Sequence, residues 1–511
     1  MNQKYIELLQ KVIKRNYSNI QYENTGEQND EFYYEFKSDD IVSEKDFEKI
    51  EKEIQALDNN IIVKLVRISG VYKEGNAKNE MITRIVGKGF NSLEELSEYK
   101  KRIEEAKEND HRKIGQELDL FCFSDLVGPG LPLFTPRGTI IIDELKKEME
   151  RVCKKYGFEK VSCPSLANIS LFEISGHAKK FNEELFRVNS PKGHEFALKP
   201  VQCPHHTQIY ASKIRSYKEL PIRYMESDKQ YRAELQGAVG NSLSRVYAFT
   251  VEDGHIFCTK NQVKEEIKNI CHLIEDFYTR MGLWENHWVS LSVRDNNHLE
   301  KYIGDRKDWD DCEDLLKEIS EELDLKAKRC EGEAALYGPK LDFMFQDALG
   351  REIQIPTIQL DFATPKRFGL TFINDKGEKE NPVMIHRAIL GSYERFMVLL
   401  LEQNKGVLPI WLSPTQVNII PINEKYHDEY CKKIKERLEE EDIRVNYDNR
   451  EEKIGKKLRQ SNIMKNPYTI IIGDQEIEEK IISYKKRFRD ETNKMNLDDF
   501  IEMIKKEIKE R

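Results

Sequence analysis

The spacing of apolar and polar positions divides the chain into stretches of different rhythm. In SEKDFEKIEKEIQAL (43–57), Phe47, Ile50 and Ile54 recur at helical spacing behind a capping serine, which predicts a helix. EFYYEF (31–36) and IIVKLVRISGVY (61–72) read as strands. SLEELSEYKKRIEEAKENDHRKIGQEL (92–118) is charged throughout and predicts one long helix linking two modules. A Gly/Pro-rich loop, VGPGLPLFTPRG (127–138), precedes a predicted helix TIIIDELKKEMERVCKKYGF, closed by Tyr156-Gly157, and a predicted strand EKVSCPSL. From 184 to 260 short β-like runs alternate with turns: EFALKP, IRYMESDKQYRAE, RVYAFTVEDGHIF. This rhythm favours antiparallel pairing over βαβ units. After a break at LPIWLSPTQ (408–416), strands QVNIIPI, IRVNYD and YTIIIGD alternate with helices EYCKKIKERLEEED and EKIGKKLRQSNIM, and LDDFIEMIKKEIKE ends the chain as a helix. The expected organisation is four segments, 1–90, 91–118, 119–408 and 409–511, of α+β class with a C-terminal α/β module.

Composition narrows the class. The chain has 511 residues, 39% apolar and 34% charged, enough for about three domains and typical of a soluble globular protein. No apolar run approaches the ~18 residues of a membrane helix, so no membrane partner is expected. The N-terminal stretch MNQKYIELLQKVIKRNY lacks a signal peptide's apolar region. Nine irregularly spaced cysteines do not form a disulfide framework, and a reducing cytoplasm is expected. The net charge of −9 argues against a protein coated by nucleic acid. Residues 412–511, with 22 Lys/Arg and 22 Asp/Glu, are neutral, so the remainder carries the negative excess. EKIGKKLRQ (452–460) and SYKKRFRD (483–490) are locally basic: either solvated faces or phosphate contacts. Neither G-x-G-x-x-G after a strand nor G-x-x-x-x-G-K-[ST] occurs, so any ATP is held on neither a Rossmann nor a P-loop frame.

Candidate chemistry gathers in few places. In LKPVQCPHHTQIY, Cys203 reads as a packed thiol, a nucleophile or a metal ligand, and the residues alone leave all three open. With His255 in VEDGHIF and His386 in PVMIHRAIL it makes one thiolate and two imidazoles, the set zinc uses when a fourth position stays open for substrate. The separations, 52 and 131 residues, form no local motif, and His205 and His206 are equally available by composition. Arg232 in QYRAE, Arg245 in LSRVYAF and Arg395 in GSYERF are suited to polyphosphate oxygens or to ordinary ion pairs. Phe249 offers a flat face to a base, and Glu234 an acceptor for an exocyclic amine.

From about 117 to 511 the chain resembles bacterial threonyl-tRNA synthetases, class II aminoacyl-tRNA synthetases. LKPVQCP (198–204), RVYAFTVEDGHIFCT (245–259), ALYGPKLDF (335–343), TIQLDF (357–362) and PVMIHRAILGSYERF (382–396) carry the likeness. VNIIPI and NPYTIIIGD resemble the family's anticodon-binding domain. The resemblance implies a catalytic core on a six-to-seven-stranded antiparallel sheet, a homodimer with Pro164 at its interface, and threonine, ATP and tRNA as partners. It implies Cys203, His255 and His386 as ligands of one Zn²⁺ per subunit, and Mg²⁺ with ATP. Arg232, Glu234, Arg245, Phe249, Gln354 and Arg395 match ATP contacts. Asp253 matches the acceptor of the substrate hydroxyl, and Val251 stands close by. Tyr337 and Lys340 match residues beside the amino acid and adenylate, and His177 one near the tRNA 3′ end. Glu452, Lys453 and Arg459 are plausible anticodon contacts.

The likeness is incomplete. Residues 1–90 look like edges of the family's editing domain with the centre missing, and its H-x-x-x-H pair falls on Gln3 and Glu7. Editing of serine in cis is therefore not expected. Val251 replaces a common Gln, Ile355-Pro356 a Cys-Gly pair, Tyr247 an Arg, and GAVGNSLS (237–244) a Leu-His-Gly stretch. The main expectation is a threonine–tRNA ligase without cis-editing. The alternatives are a paralogue activating another β-hydroxy amino acid or loading a different acceptor, and a tRNA-binding scaffold.

Overall fold

The computed structural model describes residues 2–28, 31–72, 81–234, 239–347, 350 and 352–510. Two compact units divide at Lys107/Glu108.

In the first unit, helices Asn2–Asn16 and Phe47–Leu57 pack on a four-stranded antiparallel sheet. Its order is Gln21–Gln28, Glu31–Lys37, Met81–Phe90, Ile62–Tyr72. The alternation read in EFYYEF is the burial pattern: Phe32, Tyr34 and Phe36 point inward with Phe47, Ile50 and Ile54 from the predicted helix. These residues close a core of their own. The predicted helix over 92–118 is two helices, Leu93–Glu108 and His111–Glu117. Asp110 causes the break: its side chain accepts the backbone N–H of Arg112 and caps the second helix.

The second unit is built on an eight-stranded sheet. Its order is Lys328–Glu331, His287–Val293, Lys340–Gln346, Glu352–Asp361, Val383–Ser392, Ala248–Cys258, Ile222–Tyr231, Glu159–Lys160. The six central strands are antiparallel, and the two outer ones pair parallel, which widens the expected six-to-seven-stranded antiparallel sheet. EKVSCPSL is not one strand. Glu159–Lys160 joins the main sheet, Leu166–Asn168 joins a separate three-stranded sheet, and Cys163 and Pro164 lie between them. Pro136–Lys155, Val263–Arg280 and Tyr393–Gln403 bury Ile141, Leu145, Ile270, Phe277, Phe396 and Leu400 in the core of this sheet.

The C-terminal module holds five strands in the order Val445–Tyr447, Val417–Pro421, Tyr468–Ile472, Ile482–Lys486, Asn493–Met495. The first three pair parallel, as the β/α rhythm predicts. Arg444 bridges to Glu144 at 3.4 Å and Arg137 donates to Thr415 at 2.9 Å, tying this module to the helix Pro136–Lys155 on the eight-stranded sheet.

Candidate active site

Register places the site. Across five neighbouring strands Tyr224, His255, His386, Gln359 and Lys340 stand in one row. The next row is Glu226, Asp253, Ala388, Thr357 and Asp342. Side chains two apart on a strand share a face, so both rows point to the same side of the sheet. Cys203 reaches that side from the first residue of the helix Cys203–Ala211. Residues far apart in sequence thereby line a cavity of about 330 Å³, among them Cys203, His255, His386, Asp253, Tyr337 and Arg232.

At its floor, donor atoms of Cys203, His255 and His386 lie within 4.8 Å of one another, and all three residues are buried. His255 Nε2 and His386 Nδ1 face each other at 3.1 Å. The opposite nitrogens are already engaged: His386 Nε2 meets Asp361 at 2.8 Å, and His255 Nδ1 meets His206 at 2.8 Å. Asp361 is fixed in turn by the backbone N–H groups of Ala363 and Thr364, each at 2.8 Å. An imidazole held this way by its outer nitrogen presents the inner one as a metal ligand. Burial, then the charges of Asp253 and Asp361, hold the Cys203 thiol protonated far above its ordinary range. A cation between the three donors removes that penalty on the thiolate. The residues therefore fit a thiolate–bis-imidazole metal site.

Around this floor, Tyr337 stacks on His386 with ring centroids 4.5 Å apart and donates to Gln359 at 2.6 Å. Gln230 donates to Asp253 at 3.5 Å. Burial raises the Asp253 carboxyl, with opposing contributions from His206, His386 and Arg387. Val251 lines the cavity two residues before Asp253.

Arg232 and Glu234 lie just beyond the end of the strand Ile222–Tyr231, and Arg245 just before Ala248–Cys258, so the predicted strands are shorter than their motifs. The Arg232 guanidinium stands over the Phe249 ring at 5.3 Å, and Arg245 bridges Glu234 at 3.0 Å. Arg395 donates to the Gln354 carbonyl at 3.3 Å. Gln354 itself donates to Asp342 at 2.6 Å, and Lys340 is pinned to the same carboxylate. Arg395 is solvent-exposed beside Gln354. Enclosure first, then Arg232 and Arg245, lowers its pKa. Arg395 thus feels both other guanidiniums, an arrangement suited to polyanion oxygens.

His177 is buried, and its pKa is lowered to about 4, first by burial and then by Arg232 and His386. The Ser175 hydroxyl donates to the Phe172 carbonyl at 3.1 Å. Its oxygen therefore accepts Nδ1–H of His177 at 2.9 Å, which leaves Nε2 as a free base. A histidine that is neutral when folded and protonated when unfolded makes stability rise with pH between about 4 and 6.5. That contribution is present above pH 6.5 and amounts to ~3 kcal/mol, lost as pH falls to 4. The melting temperature of His177→Gln is expected to fall less steeply over that interval than that of the unchanged chain. Parallel profiles would show that the group does not titrate this way.

Sequence reasoning missed the engaged partners. Thr357, Gln359 and Asp361 carry a period-two signal in TIQLDF, and His206 stood beside its neighbour His205 with nothing to separate them. The fold separates them: His206 contacts His255, whereas both ring nitrogens of His205 are buried without a partner. Glu452, Lys453 and Arg459 are exposed at and within the helix Ile454–Ile463, away from the cavity. Of the divergent loop GAVGNSLS, Gly237 and Ala238 lie outside the described residues. The Tyr247 ring packs edge-on to Phe186, with centroids 6.2 Å apart.

Comparison with known proteins bears on the same segments. Residues 186–404 match the tRNA synthetase class II core domain (G, H, P, S and T), and residues 416–507 match the anticodon binding domain. The threonine–tRNA ligase of Geobacillus sp. (strain WCH70) is 41% identical over 446 residues, 87% of this chain and 69% of the relative. That of Ureaplasma parvum serovar 3 is 40% identical over 459 residues, 90% and 78% of the two chains. Among solved structures, the RNA binding domain of threonyl-tRNA synthetase from Cryptosporidium parvum Iowa II superposes with a TM-score of 0.74 at 33% identity, covering 78% of this chain and 98% of that one. Prolyl-tRNA synthetase from the same organism, at 18% identity and a TM-score of 0.59, shares the fold. With a class II core, an anticodon-binding module and relatives alike over nearly nine-tenths of its length, the chain belongs to the threonine–tRNA ligase family.

Proposed function

We propose that this chain activates threonine with ATP and transfers it to the terminal ribose of tRNA(Thr), with one zinc ion held by Cys203, His255 and His386. The observation that carries the reading is the meeting of those three donors at the floor of the cavity that also holds Asp253 and Arg232. Cys203, His255 and His386 would hold the zinc, which would supply Lewis-acid coordination for the amino nitrogen and β-hydroxyl of threonine. Asp253 accepts from that hydroxyl, and Tyr337, locked by Gln359 and His386, walls the amino-acid pocket.

The threonine carboxylate attacks the α-phosphorus of Mg·ATP, the bond to the bridging oxygen breaks, and pyrophosphate leaves. Arg232, Arg245 and Arg395 spread the transition-state charge, Phe249 and Glu234 seat the adenine, and Gln354 and Lys340 flank the adenylate. No covalent bond to the protein is needed, so Cys203 is a ligand and not a nucleophile. In the second step a ribose hydroxyl of the tRNA attacks the adenylate carbonyl and AMP leaves. In this reading His177 takes that proton, a role supported by its neutral ring with Nε2 free. Glu452, Lys453 and Arg459, all exposed, are proposed to face the anticodon.

A homodimer is supported by exposed Pro164, Leu166 and Ile174 around the first signature, and sedimentation tests it. Nine free cysteines, Cys122 among them exposed, support a reducing compartment such as the cytoplasm. No helix among the described residues is long and apolar enough to cross a membrane. The domain assignment follows the expected segments: residues 1–90, the linker 91–118, a catalytic domain 119–408 and an anticodon-binding domain 409–511.

We also propose that this chain does not edit serine in cis. Residues 1–107 contain neither His nor Cys. Gln3 and Glu7 stand one turn apart on the helix Asn2–Asn16, paired to each other at 3.4 Å on the exposed face. Purified protein is expected to leave preformed seryl-tRNA decaying at the rate seen in buffer. Accelerated release of serine would overturn this.

A further inference from the structure

We infer that His206 and Glu226 are the outer support of the metal-binding imidazole of His255, a positioning pair that fixes which of its nitrogens is free. The inference rests on the zinc reading of Cys203, His255 and His386.

His206 is fully buried, and its ring stands perpendicular to that of His255, with centroids 4.7 Å apart and Nδ1 to Nδ1 2.8 Å. Its Nε2 is buried without a hydrogen bond, and the nearest carboxylate oxygen is that of Glu226 at 3.5 Å, so the two act on each other through charge. Glu226, also buried, accepts the Cys163 backbone N–H at 2.5 Å and the side-chain amide of Gln202. Proton counting decides the roles. Two neutral imidazoles bring two protons to four nitrogens. The short Nδ1–Nδ1 contact needs one of them, so the other sits on one of the two outer nitrogens. If His255 Nε2 is to ligate, its proton is on Nδ1 and is donated to His206. The His206 proton is then on Nε2, on the side of the ring where the Glu226 carboxylate stands 3.5 Å away. His386 is held by Asp361 in the same manner through a single bond.

The same count bears on a second cluster. Cys163, His206 and Glu226 also bring donor atoms within 4.8 Å of one another. A metal there needs the lone pair of His206 Nε2. That moves the shared proton to His206 and the remaining one to His255 Nε2, which removes His255 from the first site. With neutral imidazoles the two clusters exclude each other. The acidic end beside His206 favours the proton at its Nε2, and thus the metal at Cys203, His255 and His386.

Zinc affinity of the purified full chain, measured by competition with a chromophoric chelator, tests this, together with zinc stoichiometry. The unchanged chain is expected to bind one ion. His206→Leu, which lacks the acceptor, is expected to bind 10–100-fold more weakly. His206→Asn, whose side-chain carbonyl replaces the accepting nitrogen, is expected to stay near the unchanged affinity. Cys163→Ser is expected to leave affinity and stoichiometry as they are. Equal affinity in His206→Leu, or an equal loss in His206→Asn, overturns the inference. So does a second ion that disappears in Cys163→Ser, an outcome readable even if His206→Leu does not fold. A chain that takes up no zinc at all instead sinks the reading of Cys203, His255 and His386.

Discussion

Replacing Cys203 by serine, or His255 or His386 by alanine, is expected to abolish bound zinc and to lower threonine-dependent ATP–pyrophosphate exchange by at least ~10³-fold. The magnitude follows from the kind of recognition the site performs. Threonine and valine have nearly the same shape, and an apolar pocket separates such a pair poorly. A site whose buried groups need a substrate hydroxyl rejects the analogue lacking it by about 10⁴–10⁵. Under the proposed function Asp253 is such a group, held partly buried with Gln230 donating to it at 3.5 Å. The unchanged chain should therefore exchange with threonine and show no exchange with valine. Serine keeps the hydroxyl and lacks one methyl, worth about 1–3 kcal/mol, so exchange with serine should be roughly 10–200-fold weaker. Comparing the three amino acids, with metal content determined on the same samples, checks the whole pattern. Exchange that survives complete metal removal, or equal exchange with valine, would falsify the chelation reading.

The second large effect concerns stability. Arg387, beside His386 on the same strand, points to the opposite face and is fully buried. Its guanidinium donates to Glu252, also fully buried, and to Cys153 Sγ at 3.3 Å, and it lies over the Phe158 ring at 4.4 Å. Glu252 also accepts the Ile389 backbone N–H at 3.2 Å. The sequence makes room for this: Gly254 stands opposite Arg387 in register, and a Cβ there would fall 2.6 Å from the guanidinium. Glu252→Ala leaves a buried cation without its counter-charge, at a cost of about 3–5 kcal/mol. Arg387→Met leaves a buried carboxylate and should cost a similar amount. Replacing both by apolar side chains is expected to cost much less than the sum, because the desolvation penalty of each ion is then removed as well. Melting temperatures of the two single variants and of Glu252→Leu/Arg387→Met test this. Additive losses would mean that the two charges do not depend on each other.

The local elements were legible in the sequence because their signals are local. Phe47, Ile50 and Ile54 announced a buried helical face, EFYYEF an alternating strand, and the C-terminal β/α rhythm an α/β module, whose last two strands, Ile482–Lys486 and Asn493–Met495, pair antiparallel. The misreadings were also local in origin. The linker helix is broken because Asp110 caps a second start, a competition that charge periodicity does not reveal. EKVSCPSL is divided between two sheets because pairing partners, not propensity, decide where a strand ends.

By itself the sequence determined the class of the protein and the inventory of its site: the arginines, the thiol, the imidazoles and the carboxylates are all present in recognisable stretches. The tertiary structure decided which of them act together. Strand register put His255 opposite His386 and Gln359 beside them, although 131 residues separate the two histidines. The helix Cys203–Ala211 separated His206, in contact with His255, from His205, which is not. The same register turned Arg387 and Glu252 inward, one residue from His386 and Asp253, which line the cavity. Alternation along a strand assigns a side chain to one of two faces, but only the paired neighbours determine which face is the site.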